Sequence, residues 1–270
     1  MIRLAVLGDP VEHSRSPEIH QSFADQCGVS IDYRKIRPER FEDTVSDLVL
    51  SGVRGFNCTV PFKELVVARC DTLSEVAQDT GAVNTVVIDD GKLHGDNTDG
   101  EGLLRDLVAN LGWLLRDRRI LLLGAGGAAR GVLPSLLSAQ PACVHITNRT
   151  LPRATDLVSS QVEQSSVVAA LDSDALEDAY DLVINATSAG LSGAVPDLPG
   201  RVISSGTHAY DMVYGVGTTA FNAWASEAGA RVCADGLGML VEQAAVAFYL
   251  WTGQSPETAV VIGRIRDGLR

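Results

Sequence analysis

This chain has no surplus of basic residues, no paired cysteine motif and no long uninterrupted apolar run. Lysine and arginine number 22 against 34 aspartates and glutamates, a formal net charge of −12. Such a surface repels nucleic acid and anionic membranes over its average extent, so neither is an expected partner. An anionic substrate or cofactor would need local donors that override the global field. The five cysteines, Cys27, Cys58, Cys70, Cys143 and Cys233, are scattered and odd in number. Without a C-x-x-C pair they argue against a disulfide framework or a zinc site and suit a reducing cytoplasm. No metal is expected. The first ten residues read as a strand and a turn and lack the apolar core of a signal peptide. The most apolar stretch, 120–137, is interrupted by Arg130, Pro134 and four glycines, which excludes a membrane span.

What is present is a globular composition of 46% apolar and 21% charged residues over 270 positions, enough for one large or two ordinary domains. Short apolar runs alternate with longer helical patterns, the mark of an α/β fold with largely parallel sheets. Strands are predicted at 4–7, 32–36, 53–57, 83–88 and 92–94, the last two joined by the turn Asp89-Asp90-Gly91. Helices are predicted from Ser16, with Ser16 as N-cap and Gly28 as terminator, over 41–50, from Pro61, and over 100–111. A second unit has strands at 120–123, 144–147, 166–169, 182–185, near Val202 and at 209–212. Its helices run from the glycine cluster to about Ala139 and over 151–159, and the chain ends in helices at 237–251 and 256–266. The domain boundary is expected within or just after the 100–111 helix.

The segment Ile120 to Arg130 reads strand, then Gly124-Ala125-Gly126-Gly127-Ala128-Ala129, then helix. The first glycine permits a tight turn, the second lets a pyrophosphate approach the backbone, and the small third residue lets helix and strand pack closely. The N–H groups of the helix start would face the phosphates. A site for NAD usually places an acid at the end of the next strand, to accept from the ribose hydroxyls. Here the chain reads Thr147-Asn148-Arg149-Thr150-Leu151-Pro152-Arg153. Arg149 and Arg153 can bracket a 2′-phosphate, with Thr150 donating a hydroxyl, so NADP is the expected cofactor. The plainer alternative is that Thr150 caps a helix and the arginines are solvated.

Three segments of the first unit place polar groups at strand ends, where ligand sites form in such folds. Ser14 and Ser16 could hold a carboxylate without a lysine, although Ser16 alone reads as an ordinary N-cap. Lys63, in Asn57-Cys58-Thr59-Val60-Pro61-Phe62-Lys63, is expected in the first turn of a helix, where the dipole disfavours a cation; that suggests a task, and the plainer alternative is a solvated surface lysine. Thr98 and Glu101 match a capping box, which leaves Asp99 free for chemistry. Asn84 could end a strand, Tyr214 could be a loop aromatic, and Gln243 on the edge of an apolar helical face would ordinarily be solvated.

Together with Gly81–Thr85, Asp96–Gly100, Asn148–Thr150, Asn185–Ser188, Tyr210–Tyr214 and Gly236–Gln243, these segments make nearly the whole chain similar to the shikimate dehydrogenase family. The resemblance implies two domains. One is an N-terminal α/β substrate-binding and catalytic domain (1–100 with 238–270). The other is a Rossmann-type doubly wound NADP-binding domain (101–237). The C-terminal helices return to the first domain, and the site lies in the cleft between the two. It implies that Ser14 and Ser16 bind the substrate carboxylate and that Thr59, Asn84, Tyr214 and Gln243 contact ring hydroxyls and carboxylate. Lys63 and Asp99 would be the catalytic pair. On the cofactor side it implies Gly124, Ala125, Gly126, Gly127, Ala128, Asn148, Arg149, Thr150, Arg153, Met212 and Gly236. The chain departs from the family pattern at Gln21, at Leu191 and in the loop 215–220, which lacks prolines.

The implied activity is NADPH-dependent reduction of 3-dehydroshikimate to shikimate in aromatic amino-acid and chorismate biosynthesis. Hydride transfer to a ketone builds negative charge on oxygen, which a protonated lysine can quench. Oxidation of shikimate must begin with loss of that proton and should accelerate as pH rises. Two rivals stand beside this reading: a quinate/shikimate dehydrogenase using NAD, and a non-catalytic redox sensor that binds NADP and has no use for Lys63 with Asp99. A small-molecule substrate is the expected partner, and a homodimer stays open.

Overall fold

The computed structural model describes residues 1–160, 166–176, 179–187, 189, 193–195 and 197–269. Ser188 and Leu191, named above, lie outside the described residues. The chain divides into two compact units, Met1–Gly102 with Val241–Gly263, and Leu103–Leu240 with Arg264–Arg270.

In the first unit the chain runs β1 (Ile2–Leu7), α1 (Ser16–Cys27), β2 (Ile31–Ile36), α2 (Phe41–Leu50), β3 (Gly55–Cys58), β4 (Thr72–Leu73), α3 (Glu75–Thr80), β5 (Thr85–Asp89), β6 (Lys92–Asp96) and the start of α4 (Asp99–Arg105). The sheet order is β2-β1-β3-β5-β6-β4. β1 pairs in parallel with β2 and β3, whereas β5 is antiparallel to β3 and β6 to β5. The β5–β6 hairpin is closed by Asp90 and Gly91, both at positive φ (46° and 75°), as a two-residue turn of matching twist demands. One face buries Phe41, Val45, Phe56, Phe62 and Val66. Trp251, on α8 (Leu237–Thr252), donates its indole N–H to the Val86 carbonyl at 2.9 Å. A Cβ at Gly55 would collide with that indole, so glycine lets the helix lie on the strand.

The second unit contains β7 (Arg119–Leu123), α5 (Gly127–Ser138), β8 (Cys143–Thr147), α6 (Leu151–Ser159), β9 (Val168–Ala170), β10 (Leu182–Asn185), β11 (His208–Asp211), α7 (Ala220–Glu227) and β12 (Val232–Asp235). α4 runs on into a π-helical turn at Asp106–Asn110, and α9 (Thr258–Asp267) ends the chain. All strands are parallel, in the order β12-β11-β10-β7-β8-β9. Counted within the unit this is 3-2-1-4-5-6 reversed, the doubly wound Rossmann order, with its switch point between β7 and β10. One face is filled by Ile120, Leu122, Val132, Leu136 and Ile146. The other is filled by Leu121, Leu123, Val183 and Phe221.

Several expectations are corrected. No helix starts at Pro61: Phe62 N–H closes a turn on the Thr59 carbonyl at 2.8 Å, and only a 3-10 helix at Leu65–Arg69 follows. Ser16 is the first helical residue of α1, and Arg15 holds the N-cap position. Val202 ends a 3-10 turn, buried among apolar neighbours with no strand partner. The strand expected at 166–169 is Val168–Ala170. Among the described residues no helix is long and apolar enough to cross a membrane, and no group of His, Cys, Asp and Glu is placed to hold a metal ion.

His20 on α1 is fully buried, stacked on Tyr33 with ring centroids 4.6 Å apart and ringed by Phe23, Phe248 and Trp251. Burial pushes its imidazole down to about 3. The unfolded chain takes up this proton below its ordinary value near 6.5, and the native state does not until far lower pH. Proton uptake by His20 therefore costs little at neutral pH and removes about 1.4 kcal/mol per pH unit as pH falls from roughly 6.5 toward 3. Urea unfolding of wild type and His20→Leu at stepped pH should show the shallower acid loss in the variant. Equal slopes would contradict the burial argument.

Candidate functional site

Four chain segments meet at one edge of the first sheet. β1, β3 and β6 end there at Leu7, Cys58 and Asp96, and β5, running the other way, begins there at Thr85. The register fixes the meeting: Leu7 lies opposite Cys58, Asn57 opposite Thr85, and Thr85 opposite Asp96. Ser14, Thr59, Lys63 and Asn84 are carried on the loops of this edge, and Asp99 on the first turn of α4.

Lys63 Nζ donates to Asp99 Oδ2 at 2.5 Å, with both side chains largely sheltered (22% and 10% exposed). The dipole argument made for Lys63 does not hold, because Lys63 lies in a turn ahead of the 3-10 helix. What marks it instead is a half-buried ammonium with a carboxylate partner. Asp99 is the first residue of α4, where helix N–H groups favour an anion. Its backbone N–H is taken by Asn97 Oδ1 at 3.1 Å. Its second oxygen, Oδ1, accepts from Asn84 Nδ2 at 2.8 Å.

Asn84 does more than end a strand. Its Oδ1 accepts from Thr98 N–H at 2.9 Å, and its Nδ2 reaches Thr98 Oγ1 at 3.0 Å and Gln243 Oε1 at 3.4 Å. Thr98 Oγ1 also lies 3.3 Å from Gln243 Oε1. Gln243 is thus held in a polar cluster, not solvated as its helical position suggests. A Cβ at Gly102 would run into Gln243 N, Cα and Cβ, so this glycine lets α4 lie against α8 at that cluster.

Ser14 and Ser16 hydroxyls are 3.1 Å apart, and Ser16 N–H donates to Ser14 Oγ at 3.3 Å. Thr59 is half-buried and its methyl fills the space where Gly8 lacks a Cβ. Three polar residues of this edge escape sequence reading: Tyr33, Asn57 and Thr85. Tyr33 Oη donates to Asn57 Oδ1 at 2.6 Å, and Asn57 Nδ2 donates to Asn84 O and Thr85 Oγ1, both at 3.0 Å. Asn57 alone carries a signal, a polar side chain inside an otherwise apolar strand; Tyr33 lies in a strand with three charged residues and Thr85 opens its strand.

In the second unit, Gly124 follows β7 at φ 104°, a conformation that requires glycine, and faces the Ala186 carbonyl at the end of β10. Gly126 is the N-cap of α5 with extended φ and ψ, Gly127 and Ala128 begin the helix, and Ala129 is fully buried. Ala125 is buried in the core beneath the turn. At the end of β8, Asn148 Nδ2 donates to the Thr150 carbonyl at 2.9 Å, and Arg149, Thr150 and Arg153 are exposed. Thr150 is the N-cap residue of α6 but makes no side-chain cap bond. Met212 N–H donates to the Asn185 carbonyl at 2.9 Å, and a Cβ at Gly236 would strike the Met212 backbone. Tyr214 is half-buried in the same loop. Asn185 Nδ2 donates to the buried Asp211 at 3.0 Å, tying β10 to β11, and burial raises the Asp211 carboxyl.

Family models match three stretches of the chain: a shikimate dehydrogenase substrate binding domain over residues 6–86, a shikimate/quinate 5-dehydrogenase over 107–192, and a shikimate 5′-dehydrogenase C-terminal domain over 236–266. The NADP(+) shikimate dehydrogenase of Alkalilimnicola ehrlichii is 50% identical over 266 residues, 98% of either chain. This chain belongs to the shikimate dehydrogenase family. Among solved structures of similar fold, an Ael1 enzyme from Pseudomonas putida superposes with a TM-score of 0.93 at 41% identity, covering 98% of both chains. A shikimate 5-dehydrogenase from Thermus thermophilus, in complex with NADP(H) and shikimate, gives 0.87 at 35% identity over the full length of both.

The glycines of this shikimate dehydrogenase family member separate by what demands them. Gly102→Ala should lower unfolding free energy by about 1–3 kcal/mol, the cost of overpacking α4 against Gln243. Gly127→Ala, whose Cβ would meet nothing within 4 Å, should be neutral or stabilising by up to about 1 kcal/mol. Urea titrations of the two variants check this, and equal losses would contradict it.

Proposed function

We propose that this protein reduces 3-dehydroshikimate to shikimate with NADPH, reversibly, in the biosynthesis of chorismate and the aromatic amino acids. The observation that carries the reading is the Lys63–Asp99 pair, sheltered at the sheet edge and bonded through Asn84. The relatives' name and the ligands of the Thermus thermophilus structure support it.

In this reading residues 1–100 with 238–270 bind substrate and 101–237 bind NADP. Ser14 and Ser16 take the carboxylate: their hydroxyls converge beside the first turn of α1, whose N–H groups add positive potential. Thr59, Asn84 and Gln243 contact ring hydroxyls, and Tyr214 is a further substrate contact. The nucleotide turn fits a dinucleotide on a point of local geometry. Neither a positive φ nor a neighbouring atom requires glycine at 126 or 127. A phosphate resting on the bare backbone there would require it. Gly124, Ala125 and Ala128 complete the turn, and Met212 and Gly236 would complete the cofactor site. Asn148 shapes the loop from which Arg149, Thr150 and Arg153 meet a 2′-phosphate, where an acid would serve NAD.

Bound NADPH supplies the hydride. The Lys63 ammonium donates a proton to the C3 oxygen as charge builds on it, and Asp99 orients that amine and accepts from a substrate hydroxyl. In the oxidising direction Lys63 takes the proton from the same oxygen. The protein acts in the cytoplasm, in keeping with five free thiols.

The test follows absorbance of the reduced nicotinamide with shikimate or quinate and NADP⁺ or NAD⁺. Rapid turnover is expected with shikimate and NADP⁺. Arg149→Ala with Arg153→Ala should raise KM for NADP⁺ by about ten-fold or more and leave that for NAD⁺ nearly unchanged. Comparable rates with quinate or NAD⁺ would reassign the substrate or cofactor, and NADP⁺ binding without turnover of any pair would point to a sensor.

A further inference from the structure

We propose that the Thr85 hydroxyl is a positioning group for the reaction: it locks the Asn84 carboxamide so that its amine, never its carbonyl, faces Asp99. The proposal rests on the function given above and on a chain of hydrogen bonds whose direction is forced. Thr85 is fully buried on β5, where valine would match its shape and strand preference without burying a hydroxyl. Burying that hydroxyl is tolerable only if it is bonded. It accepts from Asn57 Nδ2 at 3.0 Å and lies 2.9 Å from Asn84 Oδ1.

The polarity follows from groups that can act in one way only. Asn57 Nδ2 also meets the Asn84 backbone carbonyl at 3.0 Å, which can only accept, so this edge of the Asn57 amide donates. Tyr33 Oη, 2.6 Å from Asn57 Oδ1, therefore donates. Burial holds the Tyr33 phenol well above its ordinary value, so the proton stays on it. Thr85 Oγ1, already accepting from Asn57, has its proton left for Asn84 Oδ1 at 2.9 Å, which is nearer than the Thr98 hydroxyl at 3.4 Å. The Thr98 N–H, 2.9 Å away, can likewise only donate to that oxygen. Both lone pairs of Asn84 Oδ1 are then occupied. The amide cannot flip, and its Nδ2 must point to Asp99 Oδ1.

A second consequence reaches Gln243. Thr98 Oγ1 lies 3.1 Å from Asn84 Oδ1 and 3.3 Å from Gln243 Oε1, with one proton to give. With Thr85 serving Asn84, that proton goes to Gln243. Without Thr85, Thr98 is drawn to Asn84 and Gln243 is released. A flipped Asn84 would also set its carbonyl oxygen against the Asp99 carboxylate and loosen the Lys63 pair.

The experiment compares wild type, Thr85→Val and Thr85→Ser. The valine variant should lose kcat for shikimate oxidation on the order of ten- to hundred-fold, with a displaced pH–rate profile and a little-changed KM for NADP⁺. Serine, which keeps the hydroxyl, should restore kcat and profile; a packing role would not separate the variants this way. Thr85→Ala carries the same expectation should the valine variant fail to fold. Wild-type kcat and pH profile in a folded hydroxyl-free variant would overturn the proposal. A wild type that fails to oxidise shikimate would defeat the functional reading instead. The positioning is then decided by NMR of the Asn84 side-chain NH₂, identified by its loss in Asn84→Ala: its signals should move in Thr85→Val and stay in Thr85→Ser. Unmoved signals in both would refute the lock.

Discussion

Everything at the edge of the first sheet answers to one constraint, that an ammonium and a carboxylate have been drawn partly out of water. Such a pair is not stable by attraction alone, because each ion loses hydration that the other replaces only in part. Lys63 covers one oxygen of Asp99, and the Asn84 amide and the start of α4 cover the rest. Because those partners are themselves buried polar groups, each needs partners in turn. The chain of obligations extends through Thr98, Thr85 and Asn57 to Tyr33, crossing from β5 to β3 to β2. The mixed sheet makes this possible: an antiparallel β5 brings the start of one strand level with the ends of three others.

The second sheet works by a different economy of charge. The glycine turn after β7, the proposed nucleotide site, carries no side chain able to bind an anion. Backbone N–H groups and two glycines that nothing in the protein requires are what it offers. In a chain with a net charge of −12, the exposed Arg149, just past β8, and Arg153, in the first turn of α6, add positive charge locally. An anion recognised there is held by local geometry against the average field.

Much of this was legible beforehand because burial leaves a mark in the pattern of residues. β7, β8 and β10 are short apolar runs and lie within a residue of their expected bounds. The Asp90-Gly91 turn was readable because only residues tolerant of positive φ close so tight a hairpin. Reading failed where burial and strand pairing part company. Val202 is as buried as a strand residue yet sits in a 3-10 turn, and β12, with no fully buried residue, offers only the short run Val232-Cys233-Ala234. Lys63 was singled out on a helix dipole that is not there. Tyr33, Asn57 and Thr85 passed as ordinary strand residues, since a lone sequence does not show which hydroxyls are buried together.

The central claim, that the Lys63–Asp99 pair moves the proton and binding is shared among other groups, is tested most directly by separating turnover from affinity. In Lys63→Ala and Asp99→Asn, kcat for shikimate oxidation with NADP⁺ would be measured beside the shikimate Kd from calorimetry. The account predicts a loss in kcat on the order of a hundred- to ten-thousand-fold, with Kd weakened far less. Turnover near the wild-type rate in either variant, with shikimate still bound, would contradict it.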